Sequence, residues 1–187
     1  EIFNRLNTGG VNLTPQEIRT SLYRSSLMSG IVELNDLPSW RELISKPTPD
    51  ARMADVEILI RSLALARSKQ PYTSPMTTFV NDFCVVAQEW TDVEAAAVIS
   101  RLRHIVEACG SVGAQSFKRQ GRFSPSLFEA VVAKTWDATS LDVISAARIE
   151  ALSTAPDFVL SLQEGSTKTL NVGARMRSAD AILRPAD

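Results

Sequence analysis

Apolar side chains return at intervals of three and four residues through most of the chain, the spacing that gathers them on one face of an α-helix, and alternating strand-like runs are nearly absent. Capping signals mark where these helices begin. In Thr14-Pro15-Gln16-Glu17, Thr14 is the N-cap, Pro15 takes the first helical position and Glu17 reaches back to close a capping box, predicting a helix to about Ser25. Thr91-Asp92-Val93-Glu94 repeats the device and opens the longest helix, with Val93, Ala97, Leu102, Ile105 and Val106 as its apolar positions and Gly110 as its stop. Ser74-Pro75 opens a helix whose core face carries Met76, Phe79, Val80, Phe83 and Val86, and Ser124-Pro125 opens one carrying Leu127, Phe128, Val131 and Val132. Further helices are predicted over 31–34, 51–66, 141–152 and 170–183, with turn-rich loops at 7–12, 46–50, 68–74, 111–124 and 165–168. The expectation is an all-α array of about eight helices.

Composition adds that such an array can hold itself together. With 187 residues, 44% of them apolar, the chain can bury a core without metal or disulfide staples. Cys84 and Cys109 lack the paired spacing of a zinc or redox site and read as reduced packing residues. No apolar run approaches the roughly 18 residues a membrane-spanning helix needs, so no membrane partner is expected and the cytoplasm is the expected compartment. Twenty basic against 21 acidic residues leave a net charge of −1, so any contact with DNA must come from local patches. The opening Glu1-Ile2-Phe3-Asn4-Arg5-Leu6 reads as the middle of a helix with no cap or starting methionine, and the expectation is that native sequence precedes it.

The most informative stretch for chemistry is Asn7-Thr8-Gly9-Gly10, just before the capped helix. Paired glycines let a backbone approach a ligand closely, and a helix N-terminus offers N–H groups and a positive dipole end, together a reasonable phosphate site. The plainer reading is a sharp helix-to-helix turn, with Gly9 stopping one helix and Asn7 capping locally. In Phe117-Lys118-Arg119-Gln120-Gly121-Arg122-Phe123, the cations Lys118, Arg119 and Arg122 lie between two aromatics, which suits nucleic-acid contact with base stacking. The plainer account anchors both rings on the core and leaves the cations hydrated. Arg175 and Arg177 invite the same question. Asp55 and Glu57 are two apart and do not share a helix face, so ion pairs of Arg52 with Asp55 and of Glu57 with Arg61 are the expectation. Trp40, Trp90 and Trp136 form no stripe and are expected to fill core volume near helix ends. No nucleophile elbow, P-loop, zinc ligand set or His-containing triad can be assembled; the single histidine, His104, reads as a helix-surface or interhelical residue.

The whole pattern from Ile2-Phe3-Asn4-Arg5-Leu6-Asn7-Thr8-Gly9-Gly10 through Leu13-Thr14-Pro15-Gln16-Glu17-Ile18-Arg19 resembles the GmrSD-type N-terminal domain family of the ParB/sulfiredoxin-like superfold, found in modification-dependent restriction and anti-phage systems. The resemblance continues in Arg52 to Arg61, Asn81-Asp82-Phe83, Phe117-Lys118-Arg119, Ser126 to Ala130 and Thr169 to Arg175, and so spans essentially the entire chain. It implies that these residues are the helical part of a larger protein, with residues 1–25 facing a catalytic half and 26–187 forming the helical domain. The family's Asp-Gly-Gln-Gln-Arg motif, placed on an upstream β-rich half, has no counterpart here, nor has a C-terminal HNH-type nuclease domain.

What the resemblance implies is a binding role, with the chemistry elsewhere. Asn7, Thr8, Gly9 and Gly10 would complete a phosphate- or nucleotide-binding site. Compared with the ParB nucleotide-binding box, the asparagine falls on Asn7 but the arginine falls on Gly10, which makes Arg5 the candidate substitute charge. No catalytic residue, metal ligand or cofactor is expected in this chain; a nucleoside triphosphate with Mg would belong to the full-length protein, which would hydrolyse it or cleave DNA. The expected partners are the upstream β-rich half, in the same chain or a separate one, DNA, and a second copy of the chain. The rival expectation is a protein-interaction or oligomerisation module with no ligand of its own, which an exposed apolar helix face would favour.

Overall fold

A computed structural model describes residues 13–184, and within them the chain forms ten α-helices and one two-stranded hairpin, an all-α multi-helix array. Both capping boxes form. Thr14 closes α1 (Pro15–Leu22) with Glu17, and Thr91 closes α6 (Asp92–Val112) with Glu94. The first helix stops short of the expected end because Ser25 is itself an N-cap, its side chain accepting from the Met28 N–H to start α2 (Ser26–Leu34).

Two helices of six residues were not anticipated: α3 (Pro38–Leu43) and, later, α9 (Pro156–Ser161), each with proline in its first turn and no side-chain cap. The fourth helix, α4 (Ala54–Arg67), starts later than expected because Met53 takes a left-handed conformation at φ 58. After α5 (Met76–Gln88) comes α6, which runs through Gly110 and ends where Gly113 adopts φ 96. Gly110 has a different use: a Cβ there would lie 3.2 Å from that of Ser39, so its missing side chain lets α6 approach α3.

A short 3₁₀ turn (Ala114–Phe117) leads into β1 (Lys118–Arg119) and β2 (Arg122–Phe123), paired antiparallel across Gln120 and Gly121, both at positive φ. Then follow α7 (Pro125–Thr135), α8 (Ala146–Thr154), α9 and α10 (Thr169–Leu183). The predicted start of α8 near 141 is displaced to Ala146, where the Ser145 side chain supplies the cap.

The core forms where α4 lies along α7, α2 along α6, and α10 against α7 and α9. Leu127, Phe128, Val131 and Val132 are all buried as expected, and Trp40 sits fully inside, 5.0 Å centroid to centroid from Phe128. Trp136 is buried as well, whereas Trp90 is half-buried. The other stripes are only partly used. On α5, Met76, Phe79, Val80 and Phe83 face inward but Val86 is 51% exposed; on α6 the core face is Ala95, Leu102, Ile105, Val106 and Cys109, and Val93 is 78% exposed.

Candidate functional site

Arg5, Asn7, Thr8, Gly9 and Gly10, the expected phosphate-binding residues, lie outside the described residues, and the structure begins at the helix they precede. The Thr14 N–H donates to Glu17 Oε2 at 2.5 Å and the Glu17 N–H donates to Thr14 Oγ1 at 3.1 Å. Pro15 has no N–H. The first turn of α1 therefore keeps at most the Gln16 donor for a phosphate, not the set of orphan N–H groups that an uncapped helix offers. The hydrogen bond from the Thr14 backbone, with lesser help from its hydroxyl and from Arg52, holds the Glu17 carboxyl below its usual value, so the helix start carries a negative charge. Arg52 is placed beside it, with Nε 3.3 Å from Glu17 Oε2 and its carbonyl accepting from Thr14 Oγ1 at 3.2 Å.

The inner face of α1 is polar and tightly held. Gln16 and Arg19 are buried; Arg19 Nε donates to Asn81 Oδ1 on α5 at 3.0 Å, and its Nη1 donates to Gln16 Oε1. A second buried polar contact lies between α4 and α7, where Arg61 Nη2 approaches Glu129 Oε1 at 3.0 Å without the alignment of a good hydrogen bond. Arg175 of α10, fully buried, lies within electrostatic reach of Glu129 and donates through Nη1 to the carbonyls of Ser161 and Ser166 at 3.2 and 2.8 Å. Burial pushes the Glu129 carboxyl up, against the pull of Arg61 and Arg175. Residues from segments far apart in the chain thus meet, Arg19 with Asn81 as a pair and Arg61, Arg175 and Glu129 as a trio.

These partners correct the ion pairs expected from helical spacing. Asp55 pairs with Arg41 at 2.7 Å instead of Arg52, Arg52 pairs with Glu17, and Arg61 turns inward to Glu129 instead of Glu57. Each partner lies on another element: Arg41 on α3 with Asp55 on α4, Arg52 in the turn before α4 with Glu17 on α1, and Arg61 on α4 with Glu129 on α7. Arg175 is likewise a structural residue, whereas Arg177 and His104 are exposed.

The cationic loop is the hairpin. Phe117 is fully buried, and Phe123 packs edge-on against Trp40 at 5.8 Å, so neither ring stands free to stack on a base. Arg119 donates from Nη1 to the Ser153 carbonyl and its guanidinium lies 5.9 Å from the centre of the Phe158 ring, fixing the hairpin to α8 and α9. Of the three expected nucleic-acid contacts, Arg122 is exposed and Lys118 half-buried. They stand on opposite strands, and α1 packs on α4 and α5, so the hairpin and the α1 start belong to different neighbourhoods.

Cys84 and Cys109 are free and buried, and burial pushes the Cys84 thiol up to about 12 and the Cys109 thiol higher still. Among the described residues no group of three or more His, Cys, Asp or Glu is placed to hold a metal ion. No helix among them is long and apolar enough to cross a membrane. Comparison with family models, curated proteins and solved structures finds no match to the chain.

Proposed function

We propose that the chain is the helical portion of a restriction or anti-phage defence protein and completes a nucleotide- or nucleic-acid phosphate site whose catalytic motif lies on a separate β-rich half. The observation that carries this reading is the meeting of the resemblance segments. The Leu13-to-Arg19 block joins the Asn81 block through Arg19, and the Arg52-to-Arg61, Ser126-to-Ala130 and Thr169-to-Arg175 blocks meet around Glu129. Segments that resemble one family in order along the chain are also the segments that hold one another in space.

In this reading α1 serves as a mount. Its inner face is fixed by Arg19 and its first turn by Arg52, so the helix that follows Asn7-Thr8-Gly9-Gly10 in the sequence is held in place. Because the capping box and Pro15 leave at most the Gln16 donor, phosphate contacts fall chiefly to Asn7, Thr8, Gly9, Gly10 and Arg5. The exposed Arg122 and the half-buried Lys118 offer a separate salt-sensitive contact to nucleic acid.

The test is a titration of this chain, and of a longer protein carrying the β-rich half, with nucleoside triphosphates and short duplex DNA at two salt concentrations. Binding by the longer protein that weakens in Asn7→Ala supports the reading. No binding by either, or binding indifferent to Asn7→Ala and Arg5→Ala together, overturns it.

A further inference from the structure

An open groove of about 900 Å³ lies between α5, the start of α6 and the loop that follows α4. Its floor is apolar, built from Phe79 and Phe83 of α5, Trp90 of the following turn and Val98 of α6, with Phe83 and Trp90 meeting edge to face at 5.7 Å. The apolar stripe of α5 continues along this groove beyond the core: Val86 lines it while 51% exposed, and Val93, beside the groove residue Glu94, is 78% exposed. Exposed apolar residues contiguous with an aromatic-floored groove mark a surface that is covered by something.

The charges on the walls say what that covering body carries. Arg67 and Lys69 stand at the loop end, beside the start of α5; Asp82 follows one helical turn along from Thr78, and Glu94 stands at the opposite end, where α6 begins. From Thr78 to Val86 the groove follows α5 for about 12 Å at 1.5 Å per residue, the length of two to three turns of a second helix. A helix with an acidic first turn and a basic last turn, the arrangement its own dipole favours, matches this polarity in one direction only.

We propose that the groove docks an amphipathic helix of a partner protein, with apolar side chains at i, i+3, i+4 and i+7 on the aromatic floor, its acidic N-terminal turn over Arg67 and Lys69 and its basic C-terminal turn over Asp82 and Glu94. The docking is independent of the phosphate-binding reading.

The test uses two labelled peptides of about 14 residues with leucines at that spacing. One carries glutamates in its first turn and lysines in its last; the other has them exchanged. Fluorescence anisotropy against the full chain is expected to show the charge-matched peptide binding about tenfold more tightly at low salt, with the gap narrowing as salt screens the rim. Val86→Asp, at an exposed position, is expected to abolish binding with an unchanged thermal melt, and Lys69→Glu with Asp82→Lys to invert the preference. Asn7→Ala is expected to leave all of this unchanged, so the two readings fail separately. Binding by neither peptide, equal binding by both, or binding untouched by Val86→Asp would overturn the proposal. So would self-association of the chain that Val86→Asp abolishes, which would give the groove to a second copy.

Discussion

Arg61 on α4 and Glu129 on α7 stand 3.0 Å apart inside the closest-knit helix pair of the fold, with the Glu129 side chain wholly removed from solvent. Removing one partner leaves the other as a poorly compensated buried charge, whereas removing both leaves only Arg175, which the Ser161 and Ser166 carbonyls also hold. Glu129→Ala and Arg61→Ala are each expected to cost about 3 kcal/mol or more in urea unfolding. The double replacement Arg61→Met with Glu129→Leu is expected to cost far less than the sum. Additive losses would show that the pair is not coupled and that Arg175 alone satisfies Glu129.

Asp55 titrates in the opposite sense from Glu129. Burial alone would raise its carboxyl, but hydrogen bonds from the Asp50 N–H and from Arg41, the Arg41 charge and the Val56 N–H together hold it below 3.8. A carboxyl depressed by folding contributes stability that is present above its unfolded value and is lost as pH falls through its folded value. The stability of the native chain is therefore expected to fall as pH drops below about 4. Asp55→Asn is expected to be less stable at neutral pH and to show a shallower acid limb. An unchanged limb, followed by unfolding midpoints between neutral pH and pH values of about 2, would remove Asp55 from the account.

The hairpin arginines are expected to separate cleanly. Arg119 ties the hairpin to the Ser153 carbonyl and the Phe158 ring, and Arg119→Ala is expected to destabilise by about 1 to 2 kcal/mol. Arg122→Ala, at an exposed position, is expected to stay within about 0.5 kcal/mol. Paired denaturation curves settle the matter: equal losses would mean that Arg122 is also structural and is not held out for a ligand.

What could be read in the sequence was what sequence-local chemistry decides. Thr14 with Glu17 and Thr91 with Glu94 close their helix starts within three residues, and the buried stripe of α7 repeats at helical spacing, so both were legible. The helices α3 and α9 are too short for periodicity and have no side-chain cap, leaving Pro38 and Pro156 as their only marks. Helical spacing put Arg61 beside Glu57 because neighbours on one surface are all that it can see; the partner Glu129 comes from another helix. The Arg19–Asn81 contact, across 62 residues, was hidden for the same reason, although both residues had been singled out within the resemblance. Of the candidate site, the described residues hold only the capped start of α1, which was legible from the Thr14-to-Glu17 box; Arg5, Asn7, Thr8, Gly9 and Gly10 lie outside them.

Gly30 poses a contest whose sign the structure decides. It lies inside α2, where alanine is normally the better residue by about 1 kcal/mol. A Cβ at Gly30, however, would lie 2.7 Å from Ile99 Cγ1 and 3.1 Å from its Cδ1, because α2 and α6 cross closely there. Overpacking of that kind costs about 1 to 3 kcal/mol, and Cγ1 is not the free end of a long side chain that can swing away. Gly30→Ala alone is therefore expected to destabilise despite its helix propensity. With Ile99→Ala in the background the obstruction is gone, and the same change is expected to stabilise by about 1 kcal/mol, the propensity now acting alone. If Gly30→Ala instead stabilises the otherwise native chain, α2 and α6 can part without loss, and the close crossing is a convenience of glycine and not a requirement of the fold.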